Sequence, residues 1–455
     1  MSHTEKKHDQ YYEMANAPIS HIIPKLAAPT IVSMLISSIY NMADTFFVSQ
    51  LGTSASGAVG VIFSAMSIIQ ALAFMIGMGS GNYMTRSLGA GKRELAEQIV
   101  SIAFFTGIIM GLVITVSATF NIHRVVLLLG ATETIAPYAE AYAHYIFIAA
   151  PFMICSFIMN NLLRFQGKAS FAMVGITVGG LLNIALDPLF IFTLDMGTAG
   201  AALATGLSQF ISFCILLWMC NHQDSCISIS IRKFRLTLVI YREVLYGGIP
   251  SLGRQGIASV ATILMNFMCQ PYGDAAIAAM SIVSRFMFFI NSVIIGFGQG
   301  FQPVLGFNFG AGRLDRVKRA LVFSIQVCTA FLIVAAVAGY IFAPAIVTEF
   351  RRSDPQVIAI GTRAFRAQCF SLPLLAVCVF ANMYFQSVGK AFRATILAVC
   401  RNGVMIPLVY VLCWRFGLTG LEWTQTLADV VSFAISAGIF VQYFRREFGR
   451  EDLGR

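Results

Sequence analysis

Residues 87–93 read Ser-Leu-Gly-Ala-Gly-Lys-Arg and residues 308–313 read Asn-Phe-Gly-Ala-Gly-Arg, so one glycine-rich stretch occurs twice in this chain. The two copies are 221 residues apart, from Gly89 to Gly310. Other pairs follow at nearly the same offset and in the same order: Pro29 and Pro250, Gly52 and Gly273, Gly77 and Gly298, Asn183 and Asn402, Pro188 and Pro407. An ordered set of matches of this length indicates an internal duplication.

The composition places both copies in a membrane. Of the 455 residues, 57% are hydrophobic and 11% are charged, and the mean hydropathy is +0.76. A soluble domain needs a far more charged surface, so we expect an all-α polytopic membrane protein. Its twelve transmembrane helices are predicted at residues 22–50, 56–86, 96–119, 135–161, 171–194, 198–220, 244–270, 275–306, 320–343, 357–385, 394–414 and 418–443.

Twelve spans divide into two parallel repeats of six, related by an axis along the membrane normal. We therefore expect a cytoplasmic N-terminal tail (1–20), an N-lobe (21–220), a cytoplasmic linker (221–243), a C-lobe (244–443) and a cytoplasmic C-terminal tail (444–455). The basic residues support this orientation, because most fall on the side of the two termini. That side holds, among others, Lys92, Arg93, Arg164, Lys168, Arg232, Lys233, Arg313 and Lys390, and the other side holds Arg124, Arg351, Arg352 and Arg415. A bacterial cytoplasmic membrane with both termini inside is the expected location.

Several classes of function are disfavoured by the sequence. The net charge of +10 follows from the asymmetry of the loops, so no nucleic-acid partner is expected. The Walker pattern is missing, since Gly91-Lys92 has Arg at position 86 and lacks the following hydroxyl. The ten cysteines form no Cys-x-x-Cys pair and the six histidines do not cluster, so no zinc site is expected. We expect no enzyme activity and no cofactor, and a transporter without a motor must couple to an ion gradient.

Two aspartates lie inside predicted spans of the first half. A charged residue at that depth is costly, faces the protein interior and usually has a function. Asp187 has Asn183 one helical turn before it and Pro188 after it, and Asp44 has Tyr40 one turn before it. If the two helices pack together, the buried carboxylates repel each other and favour binding of a proton or of Na⁺. At the corresponding positions the second half has Met265 and Ile406, which predicts an asymmetric task for the first half.

Other residues have two interpretations each. Pro29, with Pro24, either kinks the first helix permanently or allows it to bend during transport. Asp354-Pro355 is typical of a helix start. A set of polar residues in the second half either lines a cavity or pairs with Asp429 and Glu422: Arg254, Gln255, Arg285, Gln299, Gln302 and Arg401.

The sequence resembles the multidrug and toxic compound extrusion (MATE) family, in its DNA-damage-inducible and staphylococcal multidrug-efflux branch. The resemblance extends from about Pro18 to Tyr443. It is carried by Pro29, by Tyr40-Asn41-Met42-Ala43-Asp44, by Gly89-Ala90-Gly91-Lys92, by Leu182-Asn183-Ile184-Ala185-Leu186-Asp187-Pro188, by Gly200-Ala201-Ala202-Leu203-Ala204-Thr205 and by Gly389-Lys390.

The resemblance implies two six-helix lobes in a V and antiport of amphipathic cations against H⁺ or Na⁺. It implies that Tyr40, Asp44, Asn183, Asp187 and Thr205 form the cation site and that Pro29 bends the first helix. Na⁺, if it is the ion, would be held by Asp44, Asn183, Asp187 and Thr205. Another branch of the family has acidic ligands in the second lobe, and this sequence has no clear equivalents.

The sequence thus predicts a secondary active multidrug efflux antiporter that works by alternating access, as a monomer in the lipid bilayer. Gln70 and Asn160 are candidates for the wall of the substrate cavity. The alternative is a lipid-linked oligosaccharide flippase of the same superfamily. Such proteins have extra spans and a strongly basic cavity, and first-half carboxylates argue against them.

Overall fold

The structure, a computed structural model, describes residues 11–221, 229–235, 237–350 and 354–448. Most of this part is helical and none of it forms a strand. The helices of the first half are α1 (Ile19–Ser49), α2 (Thr53–Gly89), α3 (Arg93–Phe120), α4 (Ile122–Leu128), α5 (Ala136–Phe165), α6 (Ala169–Pro188) and α7 (Gly197–Asn221). Those of the second half are α8 (Leu238–Cys269), α9 (Asp274–Gly310), α10 (Leu314–Phe350), α11 (Pro355–Ser371), α12 (Leu375–Ser387) and α13 (Ala391–Phe448).

These helices agree with the twelve predicted spans. In the described part of the chain, ten helical segments are long and apolar enough to cross a membrane. One of them is α13, which contains two predicted spans separated at Gly417, where φ is +59°. The ten do not include α8, which has the length of a span but carries Arg242, Glu243 and Arg254. Counting α8 and dividing α13 gives twelve.

The ends of the helices follow from local sequence. Gly91 and Gly312 adopt φ of +75° and +72°, which glycine reaches without strain, and they end α2 and α9 at equivalent points. Asp354 begins α11 as expected, because its carboxylate accepts hydrogen bonds from the backbone N–H groups of Gln356 (3.0 Å) and Val357 (3.3 Å).

The two halves meet through their first helices, each of which packs against its own half and also against the opposite half. Helix α1 packs along α9 of the second half, and the equivalent helix α8 packs along α2 of the first half. Accordingly, Ile22 and Leu26 of α1 belong to the hydrophobic core of the second half, and Ile240 and Val244 of α8 belong to that of the first half. Each half therefore needs the other to cover the apolar surface of one helix.

Paired glycines allow the backbones of the two halves to touch. A Cβ atom on Gly89 would lie 2.0 Å from the carbonyl oxygen of Phe307, and one on Gly310 would lie 2.1 Å from that of Arg86. Both glycines and both carbonyls are 221 residues apart, so the contact is repeated by the duplication. No side chain fits in either place, which makes this end of the interface a close backbone contact.

The chain ends and the linker differ in detail from the expected boundaries. Residues 11–16 are helical and dock against the second half, where Asn308 Nδ2 donates to the Met14 carbonyl (3.0 Å) and Arg313 Nη1 to that of Ala15 (2.7 Å). Helix α8 begins at Leu238, within the expected linker, and α13 continues to Phe448, beyond the expected lobe end. The following predicted parts lie outside the described residues: positions 1–10 of the tail, 222–228 and 236 of the linker, Arg351 and Arg352, and 449–455 at the C-terminus.

Candidate functional site: a carboxylate cluster in the first half

Helices α1 and α6 pack closely at the level of the predicted cation site. A Cβ on Gly180 of α6 would lie 3.0 Å from Tyr40 Cδ1 on α1. The glycine thus leaves room for the tyrosine ring against the helix backbone. This contact brings the Tyr40 and Asp44 turn of α1 towards the Asn183 and Asp187 turn of α6, as the sequence predicts if the two helices pack together.

Asp187 is fully buried and joins a hydrogen-bonded chain between α6 and α7. The Asn183 side-chain amide donates to Asp187 Oδ1 at 3.2 Å and to the hydroxyl of Thr205 at 3.3 Å. Asn183 and Thr205 are themselves buried, with 4% and 7% of their surface exposed. Residues from two separate stretches of sequence therefore meet in one place.

Asp44 completes a pair of carboxylates. It lies within electrostatic reach of Asp187 and of the Tyr40 hydroxyl. One oxygen of each carboxylate is buried without a hydrogen-bond partner among the described residues: Oδ1 of Asp44 and Oδ2 of Asp187. A buried anionic oxygen without a donor is costly, and a bound proton or cation removes that cost.

Tyr142 is a member of the cluster that sequence reasoning missed. It is 1% exposed on α5, and its hydroxyl lies close to Thr205 and within electrostatic reach of Tyr40 and both aspartates. Tyrosine is common in membrane helices, and nothing in the sequence around position 142 distinguishes it. The one available signal is that a large polar side chain occurs at a helix face that is otherwise apolar.

A small cavity of about 40 Å³ adjoins the cluster. It is lined by Tyr40, Asn160, Asn183 and Thr205, and the role of Asn160 in a substrate cavity stays a prediction. Asn160 is fixed by a hydrogen bond of 2.9 Å from its Nδ2 to the Ala172 carbonyl. The volume is enough for one or a few water-sized occupants. Gln70, on α2, is half-buried and lines neither this cavity nor the larger one in the second half.

Pro29 lies apart from the carboxylates, at the contact of α1 with the second half. A Cβ on Gly296 would lie 2.8 Å from Ile31 Cα, and one on Gly300 would lie 2.5 Å from the Ala27 nitrogen. Pro29 is thus placed between two points where α1 touches α9. The same helix carries Tyr40 and Asp44 further along, so α1 connects the carboxylate cluster with the interface between the halves.

The second half has a different polar cluster in its larger cavity, of about 250 Å³. Arg401 Nε donates to Asp429 Oδ1 at 3.0 Å, so the expected pairing of these two residues is confirmed. Glu422 instead pairs with Arg363, at 2.8 Å. Gln299 hydrogen-bonds to Arg164, and Gln302 hydrogen-bonds to Gln386. Arg254 contacts Asn382 at 3.5 Å, and Arg285 is exposed.

The first-half cluster has side chains that could hold a small hard cation or a proton. Two carboxylates, an amide and two or three hydroxyls offer only oxygen ligands at the point of contact, which Na⁺ favours. The same carboxylates can hold a proton that is shared or exchanged. The surroundings are apolar and buried, so a change of occupancy alters the local charge balance of α1, α5, α6 and α7 together.

Comparison with known proteins agrees with this arrangement. The MatE family model matches residues 29–189 and again residues 250–411, which are the two halves found from the sequence repeat. The multidrug export protein MepA of Staphylococcus haemolyticus (strain JCSC1435) is 26% identical over 97% of this chain and 97% of its own length. MepA of Staphylococcus aureus (strain MSSA476) is 28% identical with the same coverage.

Among solved structures, an outward-facing conformation of a multidrug resistance MATE family transporter of the MOP superfamily superposes with a TM-score of 0.88. It is 25% identical, and the match covers 95% of this chain and 98% of that one. The fold is therefore the MATE fold, as the resemblance implies. With both halves matched by the family model and the fold shared over nearly the whole length, this chain belongs to the MatE family of transporters.

Proposed function

We propose that this protein is a secondary active antiporter that exports amphipathic organic cations in exchange for H⁺ or Na⁺. The observation that carries the proposal is the pair of buried carboxylate oxygens, on Asp44 and Asp187, that have no hydrogen-bond partner in the described part of the chain. The staphylococcal relatives named as multidrug export proteins support the substrate class.

In this proposal the coupling cation binds at Asp44 and Asp187, and Asn183, Thr205 and Tyr40 complete or orient the site. The cation and the drug compete for the negative charge of the first half, so binding of one promotes release of the other. The protein needs no cofactor for this exchange. We place it as a monomer in a bacterial cytoplasmic membrane, with the lobes at residues 21–220 and 244–443.

Orientation follows from the basic loops. If both termini are cytoplasmic, the close contact at Gly89 and Gly310 lies at the cytoplasmic end of the interface and closes that end. Transport then requires this contact to separate while the opposite ends of the lobes approach. The number of spans supports the antiporter over the flippase alternative, which would have extra spans.

Vesicle transport tests the proposal. Efflux of a cationic dye is driven by an imposed pH gradient or, separately, by an imposed Na⁺ gradient. Asp44→Asn and Asp187→Asn should each abolish efflux driven by the coupling ion while expression remains normal, because each removes one carboxylate of the site. Asp315→Asn, an exposed aspartate at the start of α10, is the matched control and should leave efflux unchanged. Retention of most coupled efflux by both first-half variants would place the ion site elsewhere.

A further inference from the structure

The larger cavity lies where the duplication would place a second cation site. Its wall includes Met265, Asn402 and Gln425. These positions are the counterparts of Asp44, Asn183 and Thr205, at offsets of 221, 219 and 220 residues. The carboxylate of the first half is thus replaced by a methionine, while the asparagine is kept. The cavity is nevertheless polar, because Arg401 and Asp429 enter it from α13.

Asp429 cannot serve as a free cation ligand. Its Oδ1 accepts hydrogen bonds from Arg401 Nε and from Gln425 Nε2, both at 3.0 Å. Its Oδ2 accepts one from the Ser371 hydroxyl at 3.2 Å. Three donors and an exposure of only 3% leave the carboxylate neutralised and covered. The guanidinium of Arg401 thus supplies the positive charge that pairs with this carboxylate.

Arg401 itself faces the cavity. Its side chain is 26% exposed, against 4% for that of Asp429. After Nε is used, Nη1 has only a long contact of 3.5 Å to Asn291 Oδ1, and Nη2 has no hydrogen-bond partner in the described part of the chain. The cavity therefore presents positively charged N–H donors while the matching negative charge is turned inward. A guanidinium edge of this kind pairs well with a carboxylate.

The rest of the wall suits an aromatic body. Methionine and phenylalanine side chains adapt to flat apolar molecules, and the wall holds several of them: Met265, Met280, Met287, Phe288 and Met405. The volume of about 250 Å³ accommodates a benzoate-sized group. The two halves then differ in the sign of the charge that they offer. The first half has carboxylates without a basic partner, and the second has an accessible guanidinium.

We propose that the second-half cavity binds the carboxylate of aromatic acids and zwitterions through the Nη atoms of Arg401. The site deepens the proposed function, on which it rests, since it names the residue that would recognise the carboxylate of a zwitterionic substrate. Arg401 would be a specificity-determining residue, and the side chains of Gln425 and Ser371 would hold Asp429 so that the guanidinium keeps its orientation.

Two dyes that differ by one methyl group test this site. Rhodamine 110 has a free carboxylate, and rhodamine 123 is its methyl ester. Their affinities are measured by fluorescence anisotropy with the full-length protein in lipid nanodiscs and with no ion gradient. In the double variant Arg401→Gln/Asp429→Asn, which leaves no unpaired buried charge, rhodamine 110 should bind about tenfold more weakly, the loss of one charge-assisted pair. Rhodamine 123 should change less than about twofold.

Further variants sharpen the result. Arg401→Lys keeps the positive charge but lacks the planar fork of the guanidinium. The affinity for rhodamine 110 should therefore fall less than in the double variant, and the affinity for rhodamine 123 should stay unchanged. This variant also covers the case in which the double variant does not fold. Arg285→Gln, an exposed arginine of the same half outside the cavity wall, should change neither affinity.

Three results overturn the proposal: undetectable binding of rhodamine 110 to the unmodified protein, unchanged binding in both Arg401 variants, or equal losses for the two dyes. Equal losses would mean that Arg401 only shapes the cavity. Because no gradient is applied, these outcomes are independent of ion coupling. A protein that binds as described but fails to export dye from vesicles would refute the antiport and leave the binding site intact.

Discussion

Arg164 Nη1 donates a hydrogen bond of 2.6 Å to Gln299 Oε1, and this bond joins the first half of the chain to the second. Arg164 is 2% exposed, and its other nitrogen Nη2 contacts Asn161 Oδ1 and the Met78 sulfur. No carboxylate pairs with it among the described residues. A buried guanidinium held only by neutral groups depends on each of them, so the bond to Gln299 favours the conformation in which the halves touch.

Gln299→Leu should therefore shift the population towards the conformation open at the end of Gly89 and Gly310. Hydrogen bonds to charged groups contribute about 1.5–3 kcal/mol, so the shift should be roughly tenfold or more. Electron spin–spin distances between nitroxides on Lys92 and Lys390, both exposed, would show a longer component in a cysteine-free background. Gln255→Leu, a half-buried glutamine of α8, should leave the distance distribution unchanged. An unchanged distance distribution in Gln299→Leu would contradict the proposed role of the Arg164–Gln299 hydrogen bond.

Gly89→Ala and Gly310→Ala should each push the two halves apart at this end of the interface through a steric clash. Each new methyl group would meet a carbonyl oxygen of the opposite half at about 2 Å, which the backbone can relieve only by moving. Slower transport is expected, with an increased rate of modification of a cysteine at Lys92 by a polar maleimide. Gly60→Ala, on the same helix α2 but with no atom within 4 Å of the new Cβ, is the matched control. Equal behaviour of Gly60→Ala and Gly89→Ala would show that the contact is not tight.

Tyr142→Phe should weaken the binding of the coupling cation without abolishing transport. The change removes one hydroxyl beside Thr205 and the two carboxylates, and the loss of one such polar group costs about 0.5–1.5 kcal/mol, or two- to tenfold in affinity. The measurement is the half-saturating concentration of H⁺ or Na⁺ for dye efflux from vesicles. Tyr145→Phe, one turn away and outside the cluster, should show no such rise. A loss of maximal rate without a change in half-saturation would exclude a role in cation binding.

Pro29→Ala should reduce the dependence of transport on the coupling ion more than Pro250→Ala does. Both changes remove a proline from the first helix of a repeat, but only α1 carries the carboxylate Asp44. Drug binding should survive in Pro29→Ala while its response to pH or Na⁺ becomes flatter, because the helix no longer relays occupancy to the interface. Equal defects in the two variants would refute the asymmetry between the halves, and an intact ion dependence in Pro29→Ala would refute bending at this proline.

Both termini and the linker should be accessible only from the cytoplasm. In a cysteine-free protein, single cysteines at Lys92 and Lys233 should react with an impermeant maleimide only after the membrane is opened. Cysteines at Thr132 and Arg415, both exposed on the opposite side, should react in intact cells. Labelling of position 233 from outside would rule out the twelve-span topology.

The membrane class, the duplication and the main members of the carboxylate cluster were predictable from the sequence. Intramembrane aspartates are so costly that Asp44 and Asp187 were conspicuous against the apolar background. The polar residues one turn away, Tyr40 and Asn183, followed from the period of the helix, and Asp354 followed from the chemistry of helix caps. Such local rules operate within a few residues and require no knowledge of the packing.

Only the tertiary structure decided which distant residues meet. Tyr142 joined the cluster because α5 packs against α7, and no local pattern marks a tyrosine for that contact. Likewise, helix packing brings together Arg401 and Asp429, which are 28 residues apart, and Arg164 and Gln299, which are 135 residues apart. Composition and periodicity determine which face of a helix is apolar or polar. The partner opposite that face depends on how the helices cross, and this is a property of the whole assembly.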